Sequence, residues 1–485
     1  MLCAKPAGVN GDMTMTNDTL MPQSGSRFLT RVLRVPTPTM VVMASHVCIV
    51  TETYAPEING VASTLARLAS GLRARGHVVS LVRPRQPVDV AGAPPEPGTL
   101  LVSGVRLPGY EGLRIGLPAG GALRAVWGRS RPDAVYVATE GPLGWSAVRA
   151  AAAVGIPAYS GFHTNFDRYV SHYGAGWLRR PIAAYLRRFH NASAGTFVST
   201  ERLRAELGAA GFERLSVLGR GVDHGRFDPA RRSATLRAEW GAGEDDLVVL
   251  YVGRLAPEKN VELAIGAYRA MQQVSRATRF VVVGDGPLGA ALAGTHSDLV
   301  FRGFRTGDDL AAHYASADVF LFPSETETFG NVTLEAMASG LAVVAYDYAA
   351  AHVHVEPGVT GVLAPPGDAC GFVAAATALA RARESLAPMR QRARAAMEAV
   401  DWTRVVARFE QLLLADAHRE EDEGAQHRAL DRSRAVRRRG RGVRGAESRE
   451  LALHAARPGA DAVTAPHSLP VGEDALLLRR RVLPG

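Results

Sequence analysis

The sequence predicts an α/β protein with two doubly wound, Rossmann-like units that follow one another along the chain. Short apolar runs, of the kind that form strands buried on both faces, alternate with longer segments of helical period. Gly-containing loops separate the two kinds of segment, as they do in sheets built from βαβ units. The chain has 485 residues, 47% of them hydrophobic and 21% charged, which suffices for two globular domains with terminal extensions.

The first unit begins with a buried strand at 46–50 and continues through Asn59-Gly60 into a helix over 61–75. A strand at 77–82 follows. Asn59-Gly60 stands immediately before the helix, where a backbone N–H could contact a phosphate, although an ordinary turn explains the pair equally well. Further strands of this unit are expected at 134–138, 158–160, 196–199 and 215–218.

The second unit is expected after a linker at 219–229, with a first strand at 247–252. Arg254 and Lys259 then flank a glycine turn before a helix, so that a diphosphate could be clamped from both sides. Surface charges on a loop are the alternative. Lys5 and Lys259 are the only lysines, against 56 Lys and Arg together, which favours a specific role for the compact ammonium of Lys259.

The most informative stretch follows an apolar strand at 319–322 and runs from 323 to 335. It places Glu327 in a strand-to-helix loop and Glu335 in the early turns of a helix, with Asn331 as the expected N-cap. Open α/β sheets bind ligands in such loops, and two acids beside free N–H groups suit sugar or ribose hydroxyls. Two solvated glutamates at a helix start are the alternative.

A dinucleotide site is rejected although 284–289 matches G-x-G-x-x-G. That reading needs an acid at the end of the next strand, and the strand at 299–304 ends in Phe304 instead. A strand at 341–346, a hairpin at 358–363 and a final packed helix at 402–414 complete this half of the sequence.

The ends of the chain and its charge suggest contact with anions. The net charge is +9 and the pI about 9.8, which fits phosphorylated ligands, acidic lipid or nucleic acid. The basic helix at 179–190 could lie on acidic lipid or form a solvated face. The first 43 residues carry no signal-peptide pattern; they are expected to be disordered, or translation starts near Met43. The Arg-rich tail is also expected to be disordered.

The three cysteines, Cys3, Cys48 and Cys370, lie far apart in the sequence. Their spacing matches neither a metal site nor a disulfide framework, and a reducing compartment is expected. The sequence contains no apolar run of the length that a membrane span requires.

Taken in chain order, several stretches together resemble the family-4 retaining glycosyltransferases of the GT-B fold. The resemblance covers about residues 44–415, and its most specific element is the pair Glu327 and Glu335. The residues at 51–54 and 326–332 are most similar to GDP-mannose-dependent α-mannosyltransferases and related sulfolipid synthases. The stretches concerned are 54–60, 161–165, 221–223, 253–259, 284–287 and 327–335.

The resemblance implies two Rossmann-like domains that face each other across a cleft. The acceptor domain would span 44–225 and the nucleotide-sugar donor domain 226–400, and a helix at 401–417 would cross back to the first domain. Residues 1–43 and 418–485 would be disordered extensions.

The resemblance also implies site residues. The residues that would bind the donor are Gly60, Arg254, Lys259, Glu327, Phe329, Gly330, Asn331, Val332 and Glu335. The catalytic residues would be His163, Glu327, Arg254 and Lys259. The acceptor residues would be Tyr54, Tyr110 and Asn165.

Within this set, the resemblance gives Arg254 and Lys259 the diphosphate and Glu335 the ribose hydroxyls. Glu327 would hold the hydroxyls of the transferred sugar, and His163 would contact that sugar and support its developing positive charge. The sequence departs from many relatives at Asn59-Gly60, where Gly-Gly is usual. It also departs at 352–354, where His-Val-His stands in a stretch that usually holds an acid.

The function that the resemblance implies is that of a retaining hexosyltransferase, moving mannose from GDP-mannose in an α linkage to a lipid-linked or glycolipid acceptor. No cofactor or metal is expected, because no Asp-x-Asp motif occurs. The alternatives are transfer of sulfoquinovose or glucose from a UDP-sugar to diacylglycerol, and a GT-B-like sugar-nucleotide epimerase. The expected location is the cytoplasm, at the inner face of the plasma membrane.

A different class of function is suggested by the basic tail, which could be a membrane- or nucleic-acid-binding module. The body lacks the interleaved aromatic and basic pattern of single-strand binders, so that no nucleic-acid partner is expected.

Overall fold

The structure, a computed structural model, describes residues 44–415 except 58, 91, 93, 107–113 and 164–178. Two parallel sheets, each with helices on both faces, dominate this part of the chain. The predicted α/β class with two doubly wound units is therefore confirmed. We call the part around the first sheet lobe one and the part around the second sheet lobe two.

Lobe one contains a seven-stranded sheet in the order β3-β2-β1-β6-β7-β8-β9, as far as the described residues show. A separate antiparallel pair, β4 and β5, lies beside it. The strands are β1 (His46–Val50), β2 (Val78–Pro84), β3 (Thr99–Val102), β4 (Gly104–Arg106), β5 (Arg114–Gly116), β6 (Ala134–Val137), β7 (Ala158–Gly161), β8 (Gly195–Val198) and β9 (Leu215–Val217). The helices are α1 (Gly60–Ala74), α2 (Pro87–Val90), α3 (Gly120–Arg129), α4 (Pro142–Ala153), α5 (Arg179–Asn191) and α6 (Glu201–Ala209).

Lobe two contains a six-stranded sheet in the order β12-β11-β10-β13-β14-β15 within the described chain. The strands are β10 (Leu247–Val252), β11 (Thr278–Val283), β12 (Val300–Gly303), β13 (Val319–Phe322), β14 (Ala342–Tyr346) and β15 (Gly361–Ala364). The α-helices are α7 (Ala234–Glu239), α8 (Val261–Val274), α9 (Gly289–Thr295), α10 (Gly307–Ala315), α11 (Asn331–Ala338), α12 (Ala349–His354), α13 (Ala369–Arg381), α14 (Leu386–Met397) and α15 (402–415). Short 3-10 turns occur at Pro229–Arg231, Pro257–Lys259 and Arg383–Ser385.

Alternate residues of each central strand bury on opposite faces, because side chains in a strand point to the two faces in turn. In β1, Val47 and Ile49 join one apolar cluster of lobe one, whereas Cys48 and Val50 join the cluster on the other face. A strand buried on both faces must be apolar throughout, which is why the sequence shows continuous apolar runs.

The hairpin predicted at 358–363 is wrong. Residues 361–364 form β15, which pairs in parallel with β14. A parallel neighbour needs a crossover connection, and α12 supplies it between the two strands.

Helix α15 packs on lobe one although it follows lobe two in the sequence. Val406, Phe409 and Leu413 belong to the same apolar cluster as Leu68 and Leu72 of α1. The approach is close because α1 carries Gly71, at which an added Cβ would lie 2.4 Å from Cγ2 of Val406. The return of the chain therefore links the two lobes a second time.

A buried carboxylate fixes the start of β13, the strand that leads to Glu327. Asp318 accepts hydrogen bonds from Arg232, Arg237 and Arg390 at 3.0, 3.2 and 2.8 Å. It also accepts one from the backbone N–H of Val248, at 2.9 Å, in the neighbouring strand β10. Three guanidiniums on one carboxylate compensate its burial and hold β13 and β10 in register.

Over the described ranges, the structure has no helix that combines the length and the apolar character needed to cross a membrane.

We expect Gly71→Ala to destabilise the protein by about 1–3 kcal/mol, because the new methyl group must displace Val406 in a packed contact. Thermal or urea unfolding measures the change. Gly128→Ala is the matched control: this helical glycine of lobe one has nothing within 4 Å of its Cβ position, so that Ala should be neutral or slightly stabilising. Equal effects of the two variants would contradict the packing role of Gly71.

Candidate active site

A cleft of about 1470 Å³ lies between the two lobes. It is larger than the usual volume range of a site for a single small ligand. Both lobes contribute loops that follow the carboxyl ends of their strands, the usual position of ligand sites in such sheets. The site residues predicted from sequence that line it are Tyr54, Gly60, Arg254, Asn331, Val332 and Glu335.

Two helix N-termini meet in this cleft, one from each lobe. Helix α1 begins at Gly60 and α11 at Asn331, and Nδ2 of Asn331 lies 3.8 Å from the Cβ position of Gly60. Asn59 caps α1: its Oδ1 accepts from the N–H groups of Val61 and Ala62 at 3.1 and 2.9 Å. Helix N-termini carry partial positive charge, so that the meeting point favours an anion.

The predicted N-cap role of Asn331 is wrong. Gly330 occupies the cap position of α11 with φ +92°, and Asn331 is already helical. Glycine adopts this left-handed conformation without steric cost, and the Asn331 side chain is thereby released to face Gly60.

Glu335 lines the cleft and is partly buried. The hydroxyl of Tyr314 in α10 donates to its Oε2 at 3.0 Å. Burial raises the pKa of Glu335 to about 7, against smaller opposing effects of the Tyr314 hydrogen bond and of Arg226. A carboxyl with this pKa is poised between its two forms near neutral pH and gains from hydroxyl donors that a ligand brings.

The loop that carries Arg254 is held by the glycines of the 284–289 motif. An added Cβ at Gly284 would lie 1.9 Å from the carbonyl oxygen of Gly253, which leaves room only for glycine. The Leu255 N–H donates to the Asp285 carbonyl at 2.9 Å, and the Leu288 N–H donates to the Leu255 carbonyl at 3.0 Å. Close contact between two loops accounts for these glycines, and it places Arg254 at the cleft.

Lys259 and Glu327 form a separate group. The ammonium of Lys259 is ion-paired with Oε1 of Glu327, which also accepts from Oγ of Ser324 at 2.7 Å. Neither residue is among the described residues that line the cleft. Glu327 instead borders a small recess with Thr200 and Tyr348. The structure thus brings Lys259 to Glu327, while Arg254 and Glu335 share the cleft.

His163 is buried, with both ring nitrogens in contact with protein. Nε2 lies 2.8 Å from the Tyr136 hydroxyl and Nδ1 lies 3.1 Å from Nη2 of Arg220. Burial, followed by the charge of Arg220, holds the pKa of His163 well below its ordinary value. The His163 carbonyl accepts from Oγ1 of Thr328 at 2.8 Å, which joins lobe one to the loop of Glu327.

The remaining predicted site residues differ in placement. Phe329 is buried, and its carbonyl accepts from the N–H of Ala350 at 2.7 Å. It and Gly330 are not among the described lining residues of the cleft. Tyr110 and Asn165 lie outside the described residues. The catalytic, donor and acceptor roles of the predicted residues stay predictions.

Sequence reasoning missed three residues that shape the site: Tyr136, Arg220 and Tyr314. Arg220 directly precedes the 221–223 stretch, and this position was its only signal in the sequence. The tyrosines lie in an apolar strand and an ordinary helix, where nothing local marks them.

No group of three or more His, Cys, Asp or Glu side chains that could hold a metal ion occurs among the residues the structure describes. The expectation that neither metal nor cofactor is needed stays a prediction.

Two family models match the chain, one in each lobe. Residues 58–226 match the model described as Glycosyltransferase Family 4, and residues 246–382 match that of Glycosyl transferases group 1. A GDP-mannose-dependent alpha-mannosyltransferase of Mycobacterium tuberculosis is 35% identical, over 67% of this chain and 84% of the relative. A GDP-mannose-dependent alpha-(1-6)-phosphatidylinositol dimannoside mannosyltransferase of the same species is 31% identical, over 60% of this chain and 76% of the relative.

Solved structures share the fold. Sucrose-phosphate synthase from Thermosynechococcus elongatus superposes with a TM-score of 0.61 at 19% identity, covering 76% of this chain and 98% of that one. At this identity the likeness concerns the fold alone.

We expect Glu335→Gln to weaken binding of a nucleoside diphosphate and at the same time to stabilise the protein at neutral pH. The folded-state pKa of Glu335 lies above its value of 4.5 in the unfolded chain. Its destabilising effect therefore grows as the pH rises from about 4.5 to about 7 and is constant above that range. Glu335→Gln should be more stable by on the order of 1–3 kcal/mol at pH 8 and unchanged near pH 4.

Unfolding midpoints at several pH values and calorimetric titration with GDP or UDP measure the two effects. Glu262→Gln, at an exposed side chain, is the control and should change neither. An unchanged nucleotide affinity in Glu335→Gln would contradict the ribose role.

Proposed function

Because this chain belongs to the family-4 retaining glycosyltransferases, we propose that it transfers mannose from GDP-mannose, in an α linkage, to a hydroxyl of a lipid-linked or glycolipid acceptor. The proposal is supported by the relatives described above, which are named for GDP-mannose; the name of one also contains a phosphatidylinositol mannoside.

The meeting of the α1 and α11 N-termini, beside Arg254 and Glu335, is the observation that carries this proposal. A nucleotide sugar has a diphosphate next to a ribose, and the cleft offers an anion-attracting point next to a hydroxyl-binding carboxyl. In this proposal the guanidinium of Arg254 and the two helix N-termini, rather than a metal ion, meet the charge of the diphosphate.

In the reaction, the bond between C1 of mannose and the phosphate oxygen breaks, and its electron pair stays on the diphosphate. Negative charge therefore grows where Arg254 and the helix N-termini lie, and these fixed donors stabilise the transition state more than the bound substrate. The acceptor oxygen attacks C1 from the same face, and its proton passes to the leaving phosphate oxygen. The configuration at C1 is retained.

The ion pair of Lys259 with Glu327 suggests how the donor completes the site. The pair is largely excluded from water, with 19% and 15% of the side chains exposed. A diphosphate that takes the ammonium leaves the Glu327 carboxylate to accept hydrogen bonds from mannose hydroxyls. Binding of the donor thus replaces the ion pair of Lys259 with Glu327 by two interactions, that of Lys259 with the diphosphate and that of Glu327 with the mannose hydroxyls.

We place the acceptor on lobe one, near Tyr54. The protein would act at the inner face of the plasma membrane, as a peripheral protein in the cytoplasm. Helix α5 supports this view, because Arg180, Arg187 and Arg188 are exposed on it and acidic lipid attracts such a face.

A donor panel tests the proposal. Purified protein is incubated with labelled GDP-mannose, UDP-glucose and UDP-sulfoquinovose, each with and without membrane lipid extract. We expect label in the lipid fraction from GDP-mannose only. Transfer from a UDP-sugar alone would overturn the proposed donor, and conversion of a donor without lipid to an epimeric nucleotide sugar would indicate an epimerase.

We expect Lys259→Met to lower kcat by about 10²–10³, because a donor to the developing phosphate charge is lost. Arg276→Met, an exposed residue in the loop before β11, is the control for loss of a cation. Steady-state transfer assays measure both, and an unchanged kcat in Lys259→Met would remove Lys259 from the site.

We expect removal of all residues after 418 to leave transfer to a soluble acceptor intact, because every lining residue of the cleft that the structure describes precedes that point. Vesicle sedimentation and transfer assays compare the two chains. Loss of transfer with retained folding would instead favour the tail as the functional module.

A further inference from the structure

Arg220 is a buried arginine at the junction of the two lobes. Only 8% of it is exposed, and its side-chain hydrogen bonds among the described residues go to two carbonyl oxygens and to His163. Nη1 donates to the carbonyl oxygens of Leu218 and Gly219 at 2.9 and 3.0 Å. Burial of a guanidinium is costly, and these two carbonyls fix its orientation.

The contact between Arg220 and His163 determines the state of the imidazole. A guanidinium can only donate hydrogen bonds, so that Nδ1 of His163, at 3.1 Å from Nη2, must be the acceptor. The single ring proton then lies on Nε2, which donates to the hydroxyl oxygen of Tyr136 at 2.8 Å. An imidazolium has no lone pair for Arg220 and would be repelled by it.

Arg220 also contacts the loop that carries Glu327. Its guanidinium lies 5.9 Å from the ring centroid of Phe329, within reach of a cation–π interaction. The neighbouring residue Thr328 donates to the His163 carbonyl. One side chain, on the segment between the lobes, thus touches both the imidazole of lobe one and the loop of lobe two.

We propose that Arg220 is a positioning residue for sugar transfer, which holds His163 as the neutral Nε2–H tautomer and sets its distance from the 327–330 loop. The catalytic role of Arg220 in this proposal rests on the proposed function. In that reaction, positive charge develops on the sugar, and a second charge on the adjacent imidazole would oppose it. A neutral imidazole, fixed in orientation, does not.

Several other ionisable groups face this imidazole. Tyr136 reaches it from β6, and His190 from α5 adds to its resistance to protonation. Glu140 lies close to both of these groups and pairs with Nε2 of His190 at 3.4 Å. Among these groups, Arg220 is the one that contacts Nδ1 of His163. Removal of Arg220 therefore frees the lone pair of Nδ1 to accept a proton.

The test is the pH dependence of kcat at saturating donor, where the titration of Glu335 in donor binding does not enter. Wild type should show no loss of kcat through ionisation of His163 over the pH range tested, because burial and then Arg220 hold the pKa of His163 well below its ordinary value. In Arg220→Met, kcat should be lower at pH 5.5 than at pH 8, because the charge that opposes protonation of His163 is lost while its burial remains. Arg220→Lys keeps a cationic donor and should keep the flat profile.

Arg214→Met is the control for loss of an arginine that donates to backbone carbonyls, although Arg214, unlike Arg220, is exposed. This arginine of lobe one also donates to backbone carbonyls, those of Ser193 and Asn191, but it stands before β9, at the opposite end of the strands. Its pH profile should match that of wild type. A profile of Arg220→Met that is lowered equally at all pH values would overturn the proposal and leave a purely structural role.

Nitrogen NMR of histidine-labelled protein tests the same point without any donor. The signals of His163 are identified by their loss in His163→Gln, and their shifts report which nitrogen carries the proton. We expect a neutral ring with Nε2–H from pH 6 to 8 in wild type. In Arg220→Met, where no guanidinium donates to Nδ1, the proton should be shared between Nδ1 and Nε2. A ring that titrates in wild type, or carries its proton on Nδ1, overturns the inference even if the Arg220 variants do not fold.

The two experiments separate this inference from the proposed function. If wild type does not use GDP-mannose, the donor assignment fails while the NMR result stands by itself. If GDP-mannose is used and His163 titrates normally, the inference alone fails.

Discussion

The converging N-termini of α1 and α11 are the feature on which the rest of the site depends. Each helix end is an ordinary consequence of a parallel strand that turns into a helix, but a single one attracts anions only weakly. Their effect in the cleft requires that two lobes stand with the carboxyl ends of their strands towards each other. Contacts that hold this arrangement include Thr328 with the His163 carbonyl, Arg67 with Asp223, and α15 on the core of lobe one.

Glu335 is a cleft residue whose environment is unfavourable without a ligand, because burial disfavours its charge. Lys259 and Glu327, which are not among the described lining residues, have their charges paired with each other. A destabilised carboxyl is expected at a ligand site, since stability is often lower at functional positions. The Asp318 network lies at the start of β13, so that a fully paired element carries the loop that leads to Glu335.

The fold was predictable because continuous apolar runs and glycine-ended helices are local signals. The positions of Arg254 and Glu335 at the cleft were also predictable, because both residues come shortly after predicted strands. The hairpin failed since parallel pairing of β15 is decided by the crossover helix, not by the turn residues. Asn331 was misassigned because Gly330 could take the left-handed cap. Arg220 was invisible, since its partner His163 lies 57 positions away and no periodicity links them. The pairing of Lys259 with Glu327 spans 68 positions, and no local pattern in the sequence indicates it.

Helix α15 has a consequence for how the chain matures. The core of lobe one includes Val406, Phe409 and Leu413, which leave the ribosome only after lobe two has been made. Until then the apolar stripe of α1 along Gly71 is not covered by α15. Lobe one therefore completes its core only after the end of lobe two has been synthesised. A polypeptide cut short by premature termination anywhere in lobe two therefore exposes that stripe permanently, a mark by which chaperones and proteases distinguish it from the finished enzyme.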